Sequence, residues 1–120
     1  MPANPKILIV DDDPSHLEIY SIMVQKAGFE PIPLLVRFSG PDPIPDSGID
    51  LVLLDYCLNS VKTAPEIAQQ IRSKFSSIPI ILLSDLWSAP SDVVPFITQF
   101  VRKGEPAKLF EILSSHFPAK

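Results

Sequence analysis

Apolar residues run along this chain in short unbroken blocks, each ending in a polar residue. Ile7-Leu8-Ile9-Val10 runs into Asp11-Asp12-Asp13, and Leu51-Val52-Leu53-Leu54 runs into Asp55. Ile80-Ile81-Leu82-Leu83 ends at Ser84, and Phe100-Val101-Arg102 ends at Lys103. Continuous aliphatic runs of this length predict strands buried on both faces, as in a parallel sheet covered by helices. Between them the spacing turns helical. Asp13 is set to cap a helix with Pro14 at its first position, Leu17, Tyr20, Val24 and Ala27 form its apolar stripe, and Gly28 ends it. Thr63-Ala64-Pro65-Glu66 has the spacing of a capping box, continued by Ile67, Ile71 and Phe75. A last helix follows Pro106, with Leu109, Phe110, Leu113 and Phe117 as its expected buried side.

Strands are thus expected at about 6–10, 29–36, 50–55, 78–83 and 99–102, alternating with helices. The second strand carries Pro31 and Pro33, which share parity. Their missing N–H groups fall on one edge, tolerated where that edge faces solvent, so this strand should lie at the rim of the sheet and pair inward through Glu30, Ile32 and Leu34. The expected fold is α/β, a flavodoxin-like doubly wound five-stranded parallel sheet of order 2-1-3-4-5, built as a single domain over residues 1–120.

Fourteen prolines are more than twice the usual share for 120 residues. Pro41, Pro43 and Pro45 alternate where the helix after the second strand belongs. Each removes a donor and pushes the preceding residue out of the helical region. Residues 39–48 should therefore form a loop of polyproline character. Pro90 and Pro95 leave room only for a short helix, starting near Ser91.

Parallel neighbours end on the same side of a sheet, and open α/β sheets bind ligands at that carboxyl edge. Asp11, Asp12 and Asp55 are therefore expected in one pocket. Two carboxylates about 4 Å apart repel by roughly 4 kcal/mol at an effective dielectric of 20. A fold gathers them where a cation offsets them or where one has chemistry to do. With Ser84 and Lys103 at neighbouring strand ends, the set suits phosphoryl chemistry. Hard oxygens hold Mg²⁺, a carboxylate can form an aspartyl phosphate, and Lys and Ser can bind phosphoryl oxygens.

On these residues the chain resembles the receiver domain of bacterial two-component response regulators, the CheY-like domains, over essentially its whole length. The matching positions are Lys6 to Asp12 with the acidic pair, Asp50 to Asp55, Ser84 and Lys103. The resemblance implies that Asp55 is the phosphoacceptor. It implies that Asp11, Asp12, Asp55 and the Cys57 backbone carbonyl hold Mg²⁺, and that Lys103 contacts the phosphoryl group. Ser84 would be the switch hydroxyl and Phe100 the aromatic that turns inward on activation. The implied partners are a histidine kinase or phosphotransfer protein, and a downstream protein met through the fourth helix, fifth strand and fifth helix. A receiver with no output domain attached would act through that second protein.

The pattern departs from the family at four places. Asn59 stands where a Pro usually follows the phosphoacceptor, Lys62-Thr63 replace an Asp-Gly pair, Asp85 replaces a small residue after the switch hydroxyl, and Gly104 replaces the Pro after the lysine. These departures keep a second reading open, a pseudo-receiver that works as a binding scaffold without phosphorylation. A third reading, a Mg²⁺-dependent phosphohydrolase of the haloacid dehalogenase type using Asp11 and Asp13, lacks the late acidic pair that family needs, since Glu105 and Glu111 stand alone.

Composition narrows the field further. Hydrophobic residues make up 46% of the chain, enough for a substantial core. The net charge is −4 and the basic residues are scattered, so no nucleic-acid surface is expected. The single Cys57 excludes an internal disulfide and suits a reducing cytoplasm. Without a signal peptide or an apolar run near 18 residues, neither export nor membrane spanning is expected. His16 and His116 read as helix-surface residues, with no second His or Cys spaced to share a metal. Trp87 and Phe96 read as packing residues, with an exposed aromatic partner site as the sharper alternative.

Overall fold

The structure is a computed structural model and describes residues 4–117. Strand β1 (Lys6–Asp11) leads into helix α1 (Pro14–Lys26), and β2 (Glu30–Arg37) is followed by a two-residue strand β3 (Gly40–Pro41). Then come β4 (Leu51–Asp55), α2 (Ala64–Lys74), β5 (Ile80–Ser84), a 3₁₀ turn (Val94–Phe96), β6 (Gln99–Arg102) and α3 (Pro106–His116). The sheet order is β3-β2-β1-β4-β5-β6, with every pairing parallel except β2–β3. Without β3 this is the expected 2-1-3-4-5 order of a flavodoxin-like α/β fold.

The helix ends are chemically determined. Asp13 caps α1 by accepting from the Ser15 N–H at 2.8 Å. Gly28 then turns the chain at φ +95°, a conformation that favours glycine, and the Phe29 N–H bonds back to the Val24 carbonyl. Thr63 and Glu66 form the complete capping box of α2.

Strand parity sorts the core into two layers. Ile7, Ile9, Leu51, Leu53, Ile81, Leu83 and Val101 face α1 and α3. Leu8, Val10, Val52, Leu54, Ile80 and Leu82 face α2. On α3 the buried residues are Leu109, Ile112 and Leu113. Ile112 therefore takes the place expected of Phe110, which is only partly covered, and Phe117 packs at the rim against Phe29 with ring centroids 5.5 Å apart.

The sheet has six strands rather than five. A turn at Phe38-Ser39 folds Gly40–Pro41 back antiparallel on Val36–Arg37, and the Asp42 N–H extends the ladder to the Leu35 carbonyl at 3.0 Å. The Glu30 N–H donates inward to the Pro5 carbonyl at 2.9 Å, so by parity Pro31 and Pro33 look outward, as their missing donors require. Residues 42–50 contain no helix. Ile44 and Ile49 drop from this segment into the core and supply the apolar contact a helix would have made. Lys74 ties the segment to α2 through Asp46 Oδ1 at 2.6 Å and the Ile44 carbonyl at 3.3 Å. The helix expected near Ser91 is reduced further than its two prolines suggested, to turns ending in the 3₁₀ segment.

Candidate functional site

The carboxyl edge of the sheet carries the candidate residues. Asp11 shares parity with Ile7 and Ile9, Asp55 with Leu51 and Leu53, and Lys103 with Val101, so all three side chains stand on the α1–α3 side. Asp11 and Asp55 are 1% and 2% exposed, which is rare for carboxylates without a counter-charge. That counter-charge is Lys103, whose Nζ lies 2.8 Å from Asp55 Oδ1. The same oxygen accepts from the Cys57 N–H at 3.3 Å. The Lys103 N–H bonds to the Ser84 carbonyl at 2.9 Å, which continues the β5–β6 ladder one residue and fixes where the lysine stem starts.

One ammonium faces more than one carboxylate. Asp11 Oδ1 accepts only a backbone N–H, from Asp13 at 3.0 Å. Burial, the charge of Asp55 and the neighbouring Asp12 carboxyl together push the Asp11 pKa up from 3.8 to about 6, against the Asp13 hydrogen bond and Lys103, which pull it down. For Lys103, burial works to lower the pKa, but the hydrogen bond and charge of Asp55 and the charge of Asp11 outweigh it, and its pKa lies above the ordinary lysine value. Both shifts describe a pocket short of positive charge.

Of the residues expected here, the structure brings Lys103 into contact with Asp55 and sets an Asp11 oxygen within 4.8 Å of one on Asp55. Asp12 is adjacent, and its Oδ2 accepts from the Asn59 N–H at 2.9 Å, tying the β1–α1 loop to the β4–α2 loop. Cys57 is exposed in that second loop. Ser84 is buried but has the parity of Ile80 and Leu82, so it stands on the α2 side, where its Oγ accepts from the Leu86 N–H at 3.1 Å. Phe100 is half-buried against the same α2-side core. Trp87 is not a packing residue. It is 83% exposed and lies under the Arg102 guanidinium, 3.8 Å from the ring centroid.

Two residues at the site were not marked by sequence pattern. His16 is not simply a surface histidine, because its Nδ1 is buried 3.5 Å from Asp11 Oδ2. Tyr20, one turn on, has its hydroxyl pKa raised by burial first and by Asp11, Asp55 and Asp85 after it. Their available signal was position: helical side chains lean toward the N-terminus, and the first turns of α1 start at the pocket.

Asp85 is exposed and lines a cavity of about 400 Å³ between α1 and α3 together with Lys103, Tyr20 and Leu109. Its charge is screened by solvent, which weakens its field in the pocket.

The donor set suits a divalent cation. Ligand atoms of Asp11, His16 and Asp55 all lie within 4.8 Å of one another, and among the described residues the buried Asp11 carboxylate has no cationic side chain of its own at hydrogen-bond distance. Among the described residues no helix is long and apolar enough to cross a membrane.

No family model matches the chain, and no curated protein does. Solved structures do. The chemotaxis response regulator CheY4 of Vibrio cholerae superposes with a TM-score of 0.78 at 21% identity, covering 96% of this chain and 100% of that one. The Thermotoga maritima response regulator TrrA, in complex with Mg²⁺ and BeF, gives 0.75 at 24% identity over 94% of this chain and 99% of its own. The receiver domain of a Pseudomonas aeruginosa sensor histidine kinase, with a magnesium ion in its active-site cleft, gives 0.74 at 19% identity over 98% and 100%. With the sheet order, the two core layers and the carboxyl-edge acids in place, these superpositions identify the fold of this chain as that of the CheY-like receiver domains of two-component signalling.

Proposed function

We propose that this chain is a phosphorylation-controlled switch whose phosphoacceptor is Asp55. The observation that carries the reading is the buried Lys103–Asp55 pair at 2.8 Å with a second buried carboxylate, Asp11, beside it. A structural ion pair needs one acid; a phosphoryl site needs a nucleophile, a cation for the incoming oxygens and acids for a metal. In the reaction, an Asp55 oxygen bonds to phosphorus as the bond from phosphorus to the donor breaks, and the donor leaves with the electron pair. From a phosphohistidine of a histidine kinase or phosphotransfer protein, the leaving group is the imidazole. Lys103 then follows the charge from the carboxylate to the phosphoryl oxygens.

Asp11, Asp12, Asp55 and the Cys57 backbone carbonyl are the residues we assign to Mg²⁺. When bound, that ion supplies charge neutralisation for the phosphoryl oxygens. Ser84 and Phe100, both on the α2 side, are the proposed switch pair. Ser84 would leave the Leu86 N–H for the phosphoryl group, and Phe100 would follow inward. The output would be read on the surface of the 3₁₀ segment, β6 and α3 by a downstream protein. No turnover is assigned beyond self-catalysed transfer to, and loss from, Asp55.

The test is incubation with acetyl phosphate and Mg²⁺, followed by intact mass. A gain of one phosphoryl group in the wild type and none in Asp55→Asn supports the reading. An unmodified wild type at millimolar donor overturns it and leaves the pseudo-receiver, a scaffold that signals without phosphorylation. The reduction of the fourth helix to a 3₁₀ turn is the observation that favours this second reading, because it changes the output surface.

A further inference from the structure

We propose that His16 adds an imidazole nitrogen to the cation site, so that the pocket prefers a late first-row transition ion of the Co²⁺-to-Zn²⁺ class over Mg²⁺. The proposal deepens the reading above and rests on it in one respect, that the Asp11–Asp55 pocket takes a divalent cation.

Three observations converge on His16. Its Nδ1 is buried and has no hydrogen-bond partner among the described residues, although the side chain as a whole is 44% exposed. A buried ring nitrogen left without a partner is costly unless something else occupies it. That nitrogen lies 3.5 Å from Asp11 Oδ2 without making a hydrogen bond to it. Two ligands about 2.0–2.1 Å from one ion stand roughly 3.4 Å apart across a tetrahedral edge. The spacing is that of two atoms sharing a metal. Asp55 brings the third donor, with all three within 4.8 Å of each other.

The far side of the ring is also arranged. Asp13 Oδ2 lies 3.7 Å from His16 Nε2, while Asp13 Oδ1 caps α1. With a metal on Nδ1, the ring proton would sit on Nε2 and face this carboxylate, the usual outer-sphere arrangement for a metal-bound histidine. Helix geometry places the group, since His16 lies in the first turn of a helix whose N-terminus sits at the carboxyl edge.

The chemistry decides the class of ion. An all-oxygen set of carboxylates, a carbonyl and water suits Mg²⁺, which dehydrates reluctantly. Imidazole is a softer donor, and affinity for sites that contain it rises from Mn²⁺ toward Cu²⁺.

The experiment is calorimetric titration of the metal-free protein with Co²⁺ and with Mg²⁺, for the wild type, His16→Gln and His16→Ala. His16→Gln should lose about tenfold or more in Co²⁺ affinity with Mg²⁺ affinity changed less than about twofold. Proton NMR of the wild type with Co²⁺ should show a far-shifted exchangeable imidazole resonance, a readout that needs no variant. Equal Co²⁺ affinity in wild type and both variants, equal losses for both ions, or no shifted imidazole signal would overturn the proposal while leaving the acidic pocket as a cation site. A wild type that binds neither ion overturns this proposal and the metal assignment together.

Discussion

Lys103→Met lowers the melting temperature of the metal-free protein by on the order of 10 °C, and millimolar Mg²⁺ recovers more of that loss than it adds to the wild type. Lys103 is 16% exposed and its partner Asp55 is 2% exposed, so their separation of 2.8 Å is held largely away from water. Removing one member of a buried pair costs about 3–5 kcal/mol, because the other charge stays buried and unpaired. Here the cost is compounded, since Asp11 adds a second carboxylate with no cation left. For a domain of this size each kcal/mol shifts the midpoint by roughly 3–5 °C. Methionine keeps the apolar stem, which limits the packing contribution. A metal that binds the folded state alone stabilises it by mass action, and a pocket stripped of its ammonium gains most. Differential scanning calorimetry with and without Mg²⁺ measures both effects. A midpoint within about 2 °C of wild type would show that the pair is as weak as a surface pair.

Asp11→Asn has the opposite sign. It should raise the metal-free midpoint at pH 7 by about 5–10 °C, with a gain that vanishes near pH 4. The Asp11 pKa stands at about 6 against an ordinary 3.8, pushed up chiefly by burial. The folded protein therefore holds this proton more tightly than the unfolded chain does. The stability this group allows is fully present below about pH 4 and is lost as pH rises through the window up to about pH 6. A shift of that size corresponds to roughly 2–3 kcal/mol at neutral pH. Asparagine keeps the Oδ1 acceptor for the Asp13 N–H and removes the charge. Melts of both chains from pH 4 to pH 8 provide the check, and parallel curves would refute the account. The same carboxylate must lose its proton to hold a metal, so cation affinity should fall as pH drops through about 6.

These opposed signs come from Lys103 and Asp11, which each stand at the end of a strand in the sheet. What was legible was their convergence. Unbroken runs such as Leu51 to Leu54 have no polar face, so they had to be interior parallel strands, and parallel strands end together. Pro31 and Pro33 revealed the rim strand because a missing N–H has only one tolerable direction. The illegible parts depend on geometry that no period encodes. The two-residue strand β3 exists because one turn at Phe38-Ser39 folds back, and Ile112 rather than Phe110 is buried because α3 meets the sheet at a particular rotation. The place of His16 depends on how α1 leaves β1. Ser84 was legible at a strand end, but placing its side chain on the face opposite Asp55 and Lys103 needs the register of β5 against β4, which pairs Leu83 and not Ser84 with Asp55.

The outward-facing prolines of β2 also bear on how copies of this chain meet. An exposed strand edge is a template for another strand, and many sheet proteins assemble or aggregate by extending it. Here the β2 edge lacks donors at Pro31 and Pro33, and its far end is already occupied by Gly40–Pro41. A strand docked there would find carbonyls without matching N–H groups. The opposite edge, β6, is only four residues long. Sheet-to-sheet addition is closed on one side and short on the other, which disfavours fibrillar growth through this domain and shifts self-association toward helical or loop surfaces.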